Sequence, residues 1–352
     1  MTSSLPTRLD RKLANIREGR YTRSDFIIAD AKDADMGSGV NGLGFVRAKD
    51  GSTKRQRTRP EFLDEIADIV AHDVVDIMLL SVANLDLLQA RGTFDGSAVK
   101  PAIRANDTTD CWGGIRHAAY TKRPSYPFRT ANLSRVRYGS ATPQPGASVK
   151  GTDLGLYSVT FMNDFDVDIL SQERFAAFRA EAAANEFKYF FEVFNPNVET
   201  GMSREEIGEF VNDSIIRCLA GVSLADRPEF LKIVYNGPKA LEELASHDPT
   251  LVVGVLGGGA GTTRDTFELL HQAEKYGARV ALFGRKINLA EAPKVLLELM
   301  RQVADGAVAP EEAVRAYHGA LQKDGITPVR SLEEDRAITE AVLKPAATLR
   351  AA

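Results

Sequence analysis

The strongest constraint on how this chain can fold is a rhythm. Eight short runs rich in Val, Ile, Leu and Phe recur along it: DFIIAD to Asp30, VVDIMLLS to Ser81, KPAIRAND to Asp107, GLYSVTFMND to Asp164, KYFFEVFN to Asn195, EFLKIVYN to Asn236, LVVGVLGG to Gly258 and RVALFGRK to Lys286. Between most of them lie amphipathic helical patterns, such as RPEFLDEIADIVAHD, MSREEIGEFVNDSIIRCLAG and TTRDTFELLHQAEKYGA. Apolar runs without strict alternation suit strands buried on both faces, and strand–helix repetition implies parallel crossovers. Eight such units predict an α/β chain closed as a (β/α)8 TIM barrel, a fold of about 250 residues. An open doubly wound sheet is the alternative.

The chain has 352 residues, so the barrel leaves chain to spare. Residues 31–59 and 107–150 are too long for simple connections. They make long loops after strands 1 and 3, on the barrel's C-terminal face, and are candidate lids. Residues 1–305 are expected to form the barrel, and 306–352 a C-terminal helical extension.

A formal net charge of -4 provides no general attraction to nucleic acid or to an anionic membrane surface. Cys111 and Cys218 are the only cysteines and show no metal-ligand spacing, which suits a reducing cytoplasm. The first residues lack the apolar core of a signal peptide, and no run reaches the roughly 20 apolar residues of a membrane span. A cytoplasmic location is expected, with no nucleic-acid or membrane partner.

GSGVNG, from Gly37 to Gly42, matches a dinucleotide-binding glycine pattern, but it runs into LGFVRAKDGSTKRQ, which carries no helical stripe. A flexible glycine loop is the preferred reading. The glycines of LGGGAGTTRDTFELL are more informative, because they join a strand directly to a helix. Gly257, Gly258 and Gly259 let backbone approach an anion, Thr262 or Thr263 can cap the helix, and the helix start supplies amides. The next strand ends in FGRKI, adding Gly284, Arg285 and Lys286. Loops after strands 7 and 8 form the recurrent phosphate site of such barrels.

Lys232 lies one βα unit earlier, inside the apolar run FLKIVYN. A buried ammonium needs a partner or a reason to be neutral, and a neutral lysine forms Schiff bases with carbonyl carbons. Burial among Leu231, Ile233 and Val234 can lower its proton affinity, and Lys188 can add to this if it points inward. Glu192, at the end of the preceding strand, can shuttle protons or simply neutralise Lys232. Alternation puts Lys188 and Glu192 on the same face of their strand.

The succession FFEVFNP, FLKIVYNGP, VVGVLGGG and LFGRKI resembles the bacterial and archaeal class I aldolases of the fructose-bisphosphate, tagatose-bisphosphate and deoxyribose-phosphate type, over roughly residues 186–300. The resemblance implies a Schiff-base lysine at Lys232, a catalytic glutamate at Glu192, and phosphate contacts from Gly257, Gly258, Gly259, Gly284 and Arg285. It also implies an acidic residue at the end of the first strand: Asp30, Asp33 or Asp35 can serve, and Asp30 is taken. Such barrels usually form homo-oligomers, and no metal or organic cofactor is required. The fourth strand lacks the lysine of the tagatose-type enzymes and has Thr160 or Asn163 instead. Tyr157 and Tyr235 are possible acid/base groups, and Trp112, Arg116 and His117 lie in an insertion that could cover an altered substrate. The expected activity is cleavage or formation of a carbon–carbon bond in a phosphorylated ketose. A transaldolase, thiolase-like or dehydratase step on the same Schiff base, or a silent sugar-phosphate-binding barrel, is the alternative.

Overall fold

A computed structural model describes residues 7–259 and 261–344. Eight parallel strands close into a barrel: β1 Ile27–Lys32, β2 Ile77–Leu80, β3 Lys100–Arg104, β4 Leu154–Thr160, β5 Lys188–Phe194, β6 Leu231–Ile233, β7 Val253–Leu256 and β8 Val280–Phe283. Each strand pairs with its sequence neighbours, and β1 closes the ring by pairing with both β2 and β8. The expected (β/α)8 architecture is therefore the one observed. No helix among the described residues is long and apolar enough to cross a membrane.

Two apolar layers result from alternation along these strands. Ile27, Ala29, Leu79, Ala102, Leu156, Phe190, Val280 and Leu282 fill the lumen, while Ile28, Met78, Phe191, Leu231, Ile233 and Phe283 pack outward against the helices. The N-terminal end of the lumen is plugged by the helix Arg8–Arg17, which adds Leu9, Leu13 and Ile16 to the inner layer. Thr7 and Asp10 form its capping box, and Lys12 Nζ anchors it to Asp76 at 2.9 Å.

The β3 unit has no long helix, only Leu133–Tyr138 inside its insertion. The first insertion is a short helix, Ala34–Ser38, a 3₁₀ turn, Gly39–Leu43, and a hairpin of Phe45–Arg47 with Thr53–Gln56. It is packed against the second insertion, which corrects the flexible-loop reading of GSGVNG. A Cβ on Gly114 would overlap the Ser38 hydroxyl, which would have to turn aside, so the two insertions approach closely at this point. Together they wall the C-terminal mouth of the barrel.

After β8 comes a single helical turn, Arg285–Asn288, and then the long helix Pro293–Asp305, which ends at Gly306 with φ 75°, a left-handed cap. Helix Pro310–Lys323 then packs on Pro293–Asp305 and on Thr263–Lys275, burying Ala313, Val314, Tyr317 and Leu321. The stretch expected to continue as helix is mostly irregular, with one short turn at Leu332–Asp335 and another at Ala341–Leu343. Residues 345–352 of the expected extension lie outside the described residues.

Candidate functional site

Lys232 and Glu192 are register partners on β6 and β5, and Glu192 pairs in turn with Ser158 on β4. All three belong to the lumen-facing set, because Leu231, Ile233, Phe191 and Val193 take the outer face. Lys232 is 6 % exposed and its Nζ lies 2.5 Å from Glu192 Oε1. The other oxygen, Oε2, accepts from Ser158 Oγ at 2.6 Å and from Arg104 at 3.2 Å. The glutamate is thus shared among an ammonium, a hydroxyl and a guanidinium, which weakens its hold on any one of them.

Arg104, on β3, is the centre of this network. Its Nε donates to Asp33 Oδ2 at 2.6 Å and its Nη1 to Ser158 Oγ at 3.1 Å. Burial alone would disfavour its charge, yet Asp33 and Glu192 hold the guanidinium well above its ordinary range. Asp107 lies 3.8 Å from Arg104 and accepts from the Trp112 indole at 2.9 Å; burial lifts its carboxyl to about 6. Sequence reasoning missed Arg104. The signal was there, since KPAIRAND embeds a cation in an apolar run just as FLKIVYN does.

Lys232, Glu192 and Arg104 face a cavity of about 850 Å³ at the C-terminal mouth. Its wall includes Asp33, Asp110, Gly257, Gly258, Gly284 and Arg285. Gly258 has φ 64°, a left-handed turn that carries the chain away from β7. Arg285 is exposed at the rim, and its guanidinium makes no ion pair among the described residues. Gly259 does not line the cavity. Cys111 does, accepting from Thr108 Oγ1 at 3.2 Å, and burial pushes its thiol up to about 12. No group of three or more His, Cys, Asp or Glu side chains among the described residues is arranged to hold a metal ion.

Several expected placements require correction. Asp30 pairs in register with Met78 and Phe283 and shares their outward face, so its carboxyl lies behind the barrel wall and away from the cavity. Asp33, one of the alternatives, occupies the mouth instead. Asp35 accepts from Ser81 Oγ at 2.7 Å and does not reach the cavity. Lys188 shares the parity of Glu192 but sits at the opposite end of β5, exposed and 3.6 Å from Asp10 of the plug helix. It has no route to Lys232. Tyr157 stacks outward on Phe178 at 4.3 Å, and Tyr235 donates outward to Gln272 at 2.7 Å. Thr160 donates to Asp110 at 2.9 Å and so fixes a cavity carboxylate. His117 is exposed and away from the cavity.

The start of helix Thr263–Lys275 is also not an open anion seat. Thr262 is its N-cap, as expected, but the amide of Thr263 donates to Asp335 at 2.8 Å and that of Thr262 to Asp265 at 2.9 Å. The orphan amides of a helix start are satisfied here by the chain's own carboxylates. Lys286 is fully buried and pairs with Glu340 at 2.8 Å. What faces the cavity from this side is the backbone of Gly257, Gly258 and Gly284, together with Arg285.

Asp30 yields a pH prediction. Neither carboxylate oxygen has a hydrogen-bond partner among the described residues, and Lys32 Nζ is 3.6 Å away. Burial raises the carboxyl from 3.8 to about 7, with Lys32 pulling the other way. The folded chain therefore binds this proton more tightly than the unfolded chain, and the stabilisation is lost as pH rises from about 4 to about 7. The stability difference between the wild type and Asp30→Asn, measured by urea unfolding, is expected to shift against the wild type across that window. A flat difference would refute the assignment.

Neither a protein-family model nor a curated protein matches the sequence. Solved structures do match in shape. An archaeal fructose-1,6-bisphosphate aldolase, captured with its catalytic lysine bound to the carbinolamine intermediate of its substrate, superposes with a TM-score of 0.58 at 14 % identity, covering 85 % of this chain and 100 % of that one. This chain has the fold of those aldolases. A fructose-bisphosphate aldolase from Slackia heliotrinireducens DSM 20476 gives a TM-score of 0.60 at 12 % identity, covering 89 % of this chain and 90 % of that one. A Corynebacterium glutamicum protein, Cgl0159, gives 0.54 at 17 % identity, with 85 % and 93 % covered. At such identities the aldolase likeness is one of fold, and the chemistry must be argued from the cavity.

Proposed function

We propose that this chain is a Schiff-base aldolase acting on a phosphorylated ketose. One observation carries the reading: Lys232 Nζ, buried in the lumen, is 2.5 Å from a carboxylate able to take its proton and opens onto a cavity rimmed by Arg285. Glu192 Oε1 accepts a proton from the Lys232 ammonium, and the neutral amine attacks the ketone carbon. Glu192 then returns that proton to the carbinolamine hydroxyl, which leaves as water. The resulting iminium accepts the electron pair of the adjacent carbon–carbon bond as it breaks, forming an enamine and releasing an aldehyde. The proton of the hydroxyl on the cleaved carbon goes to a carboxylate of the cavity wall, Asp33 or Asp110. Protonation of the enamine and addition of water regenerate the amine and release the ketone.

Arg104 keeps Glu192 from acting as a simple counter-ion, because the carboxylate charge is divided between Arg104 and Lys232. The phosphoryl group is assigned to Arg285 and the backbone of Gly257, Gly258 and Gly284, next to β6 around the ring.

Borohydride reduction in the presence of dihydroxyacetone phosphate, followed by peptide mass mapping, tests the proposal. The expected result is a reduced adduct on the peptide carrying Lys232. The Lys232–Glu192 ion pair is also what a silent sugar-phosphate-binding barrel would contain, and that reading predicts ligand-induced thermal stabilisation without any adduct. Product analysis separates an aldolase from a transaldolase or dehydratase built on the same Schiff base.

A further inference from the structure

The cavity carries its charges unevenly. Among the described residues lining it, the lysine and arginine side chains are Arg104, Lys232 and Arg285. Arg104 is held by Asp33 at 2.6 Å and by Glu192 at 3.2 Å, and Lys232 is committed to the carbonyl carbon. Arg285 alone remains to meet a phosphoryl group, and it stands on the β7–β8 side of the mouth.

The opposite wall is different in kind. It is built by the loop after β3, with Asp110, Cys111, Gly113 and Gly114, and by Ser38 and Asn41 of the first insertion. Asp110 is fixed there through Thr160 at 2.9 Å and Ser125 at 2.8 Å, and both of those hydroxyls donate to it. Among the described residues its carboxylate pairs with no lysine or arginine, and a dianion brought to this wall would meet like charge. Sugar hydroxyls, by contrast, would find acceptors in Asp110 and Asn41 and a small polar rim in Ser38. No described lysine or arginine of the second insertion lines the cavity: Arg129 and Arg137 pair with Glu181 at 2.7 Å and Glu186 at 2.8 Å, and Arg116, Lys122 and Arg123 are exposed outside its lining.

We propose that the substrate carries a single phosphoryl group, on the half that forms the Schiff base, and that the aldehyde half is an unphosphorylated polyol. This rests on the Schiff-base reading above and narrows it to ketose 1-phosphates. It departs from the bisphosphate named for the similar solved aldolases.

Both claims can be read with the full chain. Borohydride trapping with dihydroxyacetone phosphate reports the lysine chemistry, while kcat/KM is measured for the ketohexose 1-phosphates and the matching 1,6-bisphosphates at one ionic strength. The expected result is an adduct on Lys232 and a preference of at least about 30-fold for the best monophosphate over its bisphosphate. An adduct combined with equal or greater activity on the bisphosphate overturns the single-phosphate proposal and leaves the Schiff base standing. An adduct without cleavage of any ketose overturns it as well. Absence of any adduct removes the Schiff-base reading, and this inference with it.

Discussion

Lys232→Met is expected to abolish the borohydride adduct and to lower carbon–carbon bond cleavage by at least roughly 10⁴-fold, the scale of losing a covalent nucleophile. The chain should still fold. Glu192 keeps Ser158 at 2.6 Å and Arg104 at 3.2 Å after the amine is gone, so its charge is not stranded. Methionine fills most of the lysine's volume in the lumen, and a stability loss of about 1–3 kcal/mol is expected from the missing charged partner. Intact unfolding cooperativity with no adduct places the chemistry on this amine. Persistent adduct formation on another peptide would refute the assignment.

Arg104→Met is expected to do the reverse, damaging the fold first. Arg104 bridges Asp33 at 2.6 Å and Glu192 at 3.2 Å in a site 7 % exposed. Removing one partner from such a buried network leaves uncompensated carboxylates and costs about 3–5 kcal/mol. The loss should depend on pH. The Asp107 carboxyl, already lifted to about 6 by burial against the pull of Arg104, rises further in the variant. A raised carboxyl stabilises only while protonated, so the deficit should be larger near pH 8 than near pH 5. Arg104→Lys keeps the charge but loses the planar fork, and should recover stability more than activity. A pH-independent deficit of under about 1 kcal/mol would show that the network is surface-like in its energetics.

The two variants separate features with different sequence visibility. Lys232 and Glu192 were legible because each interrupts an apolar run near a strand end, where a charge without a role is costly. Arg104 interrupts KPAIRAND in the same manner, but the long insertion beyond it offers more conspicuous polar and aromatic candidates in Trp112, Arg116 and His117. Of those three, only Trp112 touches the network, through its bond to Asp107 at 2.9 Å. Asp30 was misplaced for a different reason. In IIADAK both faces are buried, so no alternation of apolar and polar residues marks the lumen side. A change of parity moves a side chain to the other face of the sheet, and only the pairing of Asp30 with Met78 and Phe283 settles which face it takes.

The proposed phosphate side of the cavity was half legible. Glycines joining strand to helix mark a close backbone approach, and Gly257, Gly258 and Gly284 do line the cavity. That the neighbouring helix start is already filled depends on Asp335, which is 72 residues away from Thr263 along the chain. No local pattern encodes such a contact.

The sequence by itself determined the architecture. Eight apolar runs separated by amphipathic helices bury both faces of every strand in a parallel sheet covered by helices, and their number favours the closed barrel over the open doubly wound sheet. Tertiary structure alone decided which charged side chains meet in the lumen, where the two insertions lean on each other, and which helix start the C-terminal segment covers. The physical reason is range: period and propensity act over neighbouring residues, whereas the pairing of buried charges is set by strands and loops brought together from distant parts of the chain.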